Sequence, residues 1–310
     1  MKIVDDFFKS SDSIHQIHAR WHIPENPKAV LRISHGMCEY TARYDDFAAF
    51  MTENGFVVCG NDHLGHGESV GEDRLFGYFA HKDGLHYLIE DTKKLGEIAA
   101  DRFPGLPQFL LGHSMGSLLV RHYLTQYGKE LSACVICGTL GPLPAAGASL
   151  AVAKLISALH GAKKSSGLLN AIAFGGYLKR IPKPNTVYDW ICTDETVVAK
   201  YAEDPFCTYR FTNSAMCDLI QVYGIVSQNS WAEKLPKDLP LFLISGAEDP
   251  CGNYGKGVEE IHRRICNAGI KNTQLKIYPD VRHEILNDKS KTEVYADVLG
   301  FLNNYLSSED

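Results

Sequence analysis

Apolar residues in this chain gather into short, nearly continuous runs. Residues 29–34 (AVLRIS), 56–60 (FVVCG), 108–111 (QFLL), 133–137 (ACVIC), 239–245 (LPLFLIS) and 274–278 (QLKIY) each stop at small or polar residues. A strand apolar on both faces belongs in a parallel sheet covered on both sides. Between several of these runs the spacing changes to that of an amphipathic helix, over 44–54, 85–103 and 117–127. Near the C-terminus Val294, Val298, Leu299, Leu302 and Leu306 share one helical face. Strand–helix alternation of this kind predicts an α/β fold, a mostly parallel, doubly wound sheet. Weak alternation from Ser13 through His22 adds an antiparallel edge hairpin within the first thirty residues.

The rhythm fails from about residue 139 to residue 234, where no convincing buried strand occurs. TLGPLPAAG opens this stretch, and a helical segment at 149–160 (SLAVAKLISALH) follows. Next comes a passage containing Gly and Pro as far as Pro184, then helical pieces at 195–202 and 213–228. The stretch reads as a helical cap inserted between two strands of one sheet. The expected division is a core of 1–138 and 235–310 and a cap of 139–234. The 149–160 helix is apolar on nearly every face except Lys154. It is either an entrance for an apolar substrate or a helix covered inside the cap.

The 310 residues carry a net charge of −6, with 37 acidic and 31 basic side chains. The basic ones are scattered in ones and twos, which argues against nucleic acid as a partner, since that needs a basic stripe. Nine cysteines, an odd number, sit mostly among apolar neighbours, as reduced core residues do. Cys134 and Cys137 form a C-x-x-C, but in a strand their sulfurs would face opposite ways, and no second pair stands at zinc spacing. The N-terminus lacks a secretory apolar region, and the longest apolar stretches fall short of the ~20 residues that span a bilayer. These features predict a cytoplasmic protein without a transmembrane segment.

Chemistry centres on Gly112-His113-Ser114-Met115-Gly116. A buried strand runs into this G-x-S-x-G and an amphipathic helix runs out, the setting that exposes a nucleophilic serine on a sharp turn. A serine hydroxyl needs a base, itself oriented by an acid, and on such a scaffold both follow later strands in the order acid, then histidine. Asp249 follows 239–245 and His283 follows 274–278. Glu248 competes for the acid's role, whereas Asp280 reads as a solvated loop carboxylate and His262 as part of a helix (GVEEIHRRI). Oxyanion donors are expected at the Met115 amide, opening the helix, and at the Met37 amide, in the loop after 29–34. His35 reads as a brace for that loop. Asp62 through Ser69 (DHLGHGES) reads as a tight hydrogen-bonded loop held by Asp62 and His66 rather than a metal site.

These blocks, in this order, resemble the α/β-hydrolase superfamily and within it the monoacylglycerol lipase / lysophospholipase group. The resemblance rests on His35-Gly36 with Glu39 and Arg43-Tyr44; Asp62 with Gly65-His66-Gly67 and Ser69; the Ser114 pentapeptide; and Ser245-Gly246, Asp249-Pro250 and His283-Glu284. It implies a Ser114–His283–Asp249 triad, Met37 and Met115 as oxyanion donors, and no metal or organic cofactor. It also implies a helical cap forming an apolar entrance for an acyl chain, which could touch a lipid surface transiently. The expected substrate is a carboxylic ester with one acyl chain: a monoacylglycerol, a lysophospholipid or a simple ester. Hydrolysis of a thioester or an amide, and a silent ligand-binding module, are the alternatives. Cys38 and Tyr40 depart from the group's usual small residue and histidine, and Cys251 falls close to the acid.

Overall fold

The computed structural model describes residues 1–306. Eight strands form one sheet: β1 Lys2–Lys9, β2 Gln16–Ile23, β3 Ala29–Ser34, β4 Phe56–Asn61, β5 Gln108–His113, β6 Ala133–Cys137, β7 Leu241–Gly246 and β8 Thr273–Tyr278. Their order is β1-β2-β4-β3-β5-β6-β7-β8. From β4 to β8 every pairing is parallel, while β2 runs antiparallel to both β1 and β4. The predicted hairpin is therefore present, with β1 at one edge of the sheet and β8 at the other. β7 begins at Leu241 rather than 239 because Pro240 has no N–H for the ladder. The Pro240 carbonyl still accepts from the Cys134 amide at 3.0 Å.

Helices α1 (Asp45–Glu53), α2 (Gly84–Arg102) and α3 (Met115–Tyr127) lie between the early strands. Residues 139–234 hold α4 (Ala146–His160), α5 (Gly167–Phe174), α6 (Glu195–Glu203) and α7 (Asn213–Ser227), and none of the sheet's strands. Beyond them come α8 (Lys256–Asn267) and α9 (Lys291–Asn303). One buried cluster joins Leu110, Cys134, Ile136 and Leu243 of the sheet to α2, α3 and α8. A second, on the opposite face, joins Leu111, Val135, Cys137 and Ile244 to α1 and α9. Cys134 and Cys137 thus do face opposite ways, and both are free thiols. No helix among the described residues is long and apolar enough to cross a membrane.

The helical stretch adds one element the sequence did not show and decides one reading it left open. α5 falls in the passage containing Gly and Pro, where the sequence named no helix: Ser166, whose hydroxyl accepts from the Leu169 amide, caps only eight residues, too few for a periodic signal. α4 was open to two readings, and the covered one does not hold. Only Ala153 is buried in it, whereas Leu155 is 59% and Leu159 71% exposed.

Candidate active site

Ser114 stands between β5 and α3 with φ 54° and ψ −119°, a conformation costly for a residue with a Cβ. Two glycines permit it. A Cβ on Gly112 would lie 2.6 Å from the Gly116 carbonyl oxygen, and one on Gly116 would collide with the Ser34 carbonyl at the end of β3. The turn is pinned by the Ser114 amide, which donates to the Cys137 carbonyl at 3.1 Å.

The loops after β7 and β8 bring Asp249 and His283 to this serine. His283 Nε2 lies 2.8 Å from Ser114 Oγ, and Nδ1 lies 2.9 Å from Asp249 Oδ2. Asp249 is fully buried, and its other oxygen accepts from the Cys251 amide at 2.8 Å. The two loops approach because Gly246 lacks a Cβ, which would otherwise meet the Val281 and Arg282 carbonyls. Glu248 and Asp280 are exposed, and His262 sits on α8, 3.7 Å from Cys266 Sγ. Of the competing candidates, only Asp249 contacts the imidazole.

Met115 is the first residue of α3, so its amide has no intrahelical acceptor and lies at the positive end of the helix dipole. The loop carrying Met37 runs against the serine, since a Cβ on Gly36 would come within 3.0 Å of Ser114 Cβ. His35 braces this loop as expected. Its Nδ1 donates to the Gly36 carbonyl at 2.8 Å, and its Nε2 accepts from the His63 amide at 2.9 Å. Burial holds the His35 imidazole below its usual pKa, in keeping with the acceptor role.

Beneath the serine lies a polar network whose connectivity the sequence did not reveal. Glu39 is buried, and one oxygen accepts from the Gly36 amide, from Tyr44 Oη at 2.8 Å and from His113 Nδ1 at 3.0 Å. Its other oxygen accepts from Arg43 at 3.1 Å, and Arg43 forks onto Glu284 at 2.6 and 2.7 Å. Burial alone would raise the Glu39 carboxyl, but His113 and Arg43 hold it well below the usual range. Burial alone would lower His113, but Glu39 raises it. Two buried carboxylates thus share one guanidinium, and one of them also pairs with His113. His113 also reaches His283, with Nε2 3.3 Å from the His283 carbonyl and the two rings 4.8 Å apart.

The departures at Cys38 and Tyr40 face the helical stretch. Tyr201 Oη donates to the Cys38 carbonyl at 3.0 Å, Cys38 Sγ lies 3.4 Å from the Tyr209 carbonyl, and Tyr40 Oη donates to Asp204 at 2.8 Å.

Asp62 organises the neighbouring loop. Its carboxylate accepts from the Thr41 amide and hydroxyl, the Glu68 amide and His18 Nδ1, all between 2.7 and 2.9 Å. His66 Nδ1 donates to the Leu64 carbonyl at 3.1 Å, and burial pushes that imidazole down to about 3. Burial opposes ionisation of Asp62, yet these donors bring it down to about 2. A carboxyl lowered on folding stabilises the protein above its unfolded pKa, and that contribution is lost as pH falls toward the folded one. Asp62→Asn should therefore cost about 2 kcal/mol at pH 7 and about half of that at pH 3. Urea unfolding of both proteins at the two pH values checks this.

The geometry can be set beside known proteins. A family model described as serine aminopeptidase, S33 (Hydrolase_4) matches residues 25–290. The chain belongs to this family of α/β-hydrolases. It is 32% identical to a thermostable carboxyl esterase from Bacillus coagulans, whose structure superposes with a TM-score of 0.93 over 99% of both chains. It is 27% identical to a monoacylglycerol lipase of Mycolicibacterium smegmatis over 96% of each chain. With the monoglyceride lipase of Homo sapiens it shares 27% identity, over 93% of this chain and 85% of the other. The resemblance drawn from the four motif blocks is borne out.

Proposed function

We propose that this α/β-hydrolase cleaves the ester of a single-acyl-chain lipid, such as a monoacylglycerol, through an acyl-enzyme on Ser114. The chain is a carboxylic ester hydrolase; the lipid substrate and the residue roles are the inference. One observation carries it: His283 bridges Ser114 Oγ and the buried Asp249 carboxylate with hydrogen bonds of 2.8 and 2.9 Å. In the cycle His283 Nε2 takes the Ser114 proton as Oγ attacks the ester carbonyl carbon. The oxyanion rests on the Met37 and Met115 amides, and Asp249 steadies the imidazolium. Collapse breaks the bond to the alkoxy oxygen, which leaves as an alcohol with the proton from His283. A water, deprotonated by the same nitrogen, then releases the carboxylic acid and restores Ser114. Every step uses this chain's own groups and water.

The lipid half of the reading draws on the relatives named monoacylglycerol lipases and on the helical stretch. In this reading 1–138 and 235–310 are the core, and 139–234 is the cap that admits the acyl chain. Leu155 and Leu159 on α4 and Leu168 and Ile172 on α5 are exposed apolar side chains suited to an acyl chain or a lipid surface. Each buried methylene is worth about 0.8 kcal/mol. Even partial burial of the chain should then raise kcat/KM about tenfold or more from acetate to octanoate p-nitrophenyl esters. A preference for acetate would remove the lipid half, and faster cleavage of matched thioesters or anilides would replace the ester with another acyl bond.

A further inference from the structure

The segment between α5 and α6 is fastened to the loop that carries His283. Arg282 Nη1 donates to the carbonyls of Asp189 at 2.6 Å and Cys192 at 2.9 Å. The Glu284 amide donates to the Ile191 carbonyl at 2.6 Å. Thr193 donates to Asp288 through its amide at 2.9 Å and also through its hydroxyl. The residues on either side of His283 are thus tied to 189–193, and Trp190 is the side chain this places on the base. The indole and imidazole centroids are 5.1 Å apart, with planes inclined by 43°. Tyr177 and Phe174 pack on the same indole at 4.8 and 6.1 Å, so its orientation is set by neighbours from the same stretch.

An aromatic face attracts a cation far more than a neutral ring, and indole is the strongest of the aromatic side chains in this respect. In the cycle proposed above, His283 is cationic only between taking a proton, first from Ser114 and then from water, and passing it on. A contact that strengthens at that stage favours turnover rather than substrate binding. We propose that Trp190 is a positioning residue of the reaction: it walls the base and favours its imidazolium, so the helical insertion supplies part of the base's surroundings. Asp249 steadies the same imidazolium from Nδ1, and the His113 ring, itself paired with Glu39, lies 4.8 Å from it on another side.

This inference rests on the ester-hydrolase reading, and p-nitrophenyl acetate separates the two because its acyl group is too short to depend on an acyl entrance. Trp190→Leu, which keeps an apolar side chain but no π face, should lower kcat about tenfold and leave KM within about twofold. Trp190→Phe, with a weaker face, should restore kcat to within about threefold of wild type. If the leucine variant does not melt cooperatively, tryptophan bearing one, two or three fluorines can be incorporated into the otherwise unchanged chain. Fluorination drains the π face with little change of shape, so kcat should fall stepwise with fluorine number, and not in the Trp190→Phe background. A leucine variant with undiminished kcat, a loss confined to KM, or a fluorine series without a gradient would overturn the role of Trp190 while wild-type turnover upholds the ester reading. An inert wild type would overturn both.

Discussion

Ser114→Ala should lower ester turnover by about 10⁴-fold or more while leaving the protein folded. The loss is expected to be this large because no neighbouring group can take over. The Ser117 hydroxyl is held by the Ser114 carbonyl at 2.5 Å and by Thr139 at 2.8 Å. Burial pushes the Cys38 and Cys251 thiols up, so neither offers a thiolate near neutral pH. Stability should change by less than about 1 kcal/mol, since alanine pays the same backbone penalty at this φ as serine. Turnover of a short ester, read beside a thermal melt, checks both halves. Residual activity above about one per cent of wild type would place the nucleophile elsewhere.

Arg43→Met should have the second large effect, on folding first and catalysis second. Its guanidinium is the shared partner of Glu39 and Glu284, both buried. Removing one member of such a group leaves charge without compensation, a loss of about 3–5 kcal/mol. The Glu39 carboxyl is held well below its usual range in the folded protein, so the stabilisation is fully present above the ordinary carboxyl range and fades as pH falls. The difference between Arg43→Met and wild type should therefore be greatest near neutral pH and shrink below about pH 4. Catalysis should suffer because Glu39 also holds the Gly36 amide at the start of the loop bearing Met37. Arg43→Lys, with its charge but no fork, should fall between the two. Denaturant midpoints equal to wild type at pH 7 would show that the ion pair does not carry this part of the fold.

The parallel strands were legible because burial on both faces leaves an unbroken apolar run, as in ACVIC. Ser114 and Asp249 could be named because each follows such a run, and His283 because it follows β8, which proves to be a half-buried edge strand rather than the buried one its residues suggested; strand ends on one side of a parallel sheet meet in space. What the sequence hid was connectivity. Arg43 and Glu284 are 241 positions apart, and Glu39 and His113 are 74 apart, so no local pattern announces their contact. α5 escaped because one capped helix of eight residues is too short to show a period. The apolar face of α4 was visible, but its exposure depends on the single side that packs on α7. Trp190 carried no signal, because its place on His283 follows from backbone bonds between two distant loops.

The proposal that Ser114 is the activated nucleophile of this chain can be tested on the intact protein. Its most direct test is labelling with a fluorophosphonate at neutral pH, followed by mass mapping of the modified peptide. Stoichiometric phosphonylation of Ser114 is expected, with none in Ser114→Ala. An unlabelled wild type, or a label on any other residue, would contradict it.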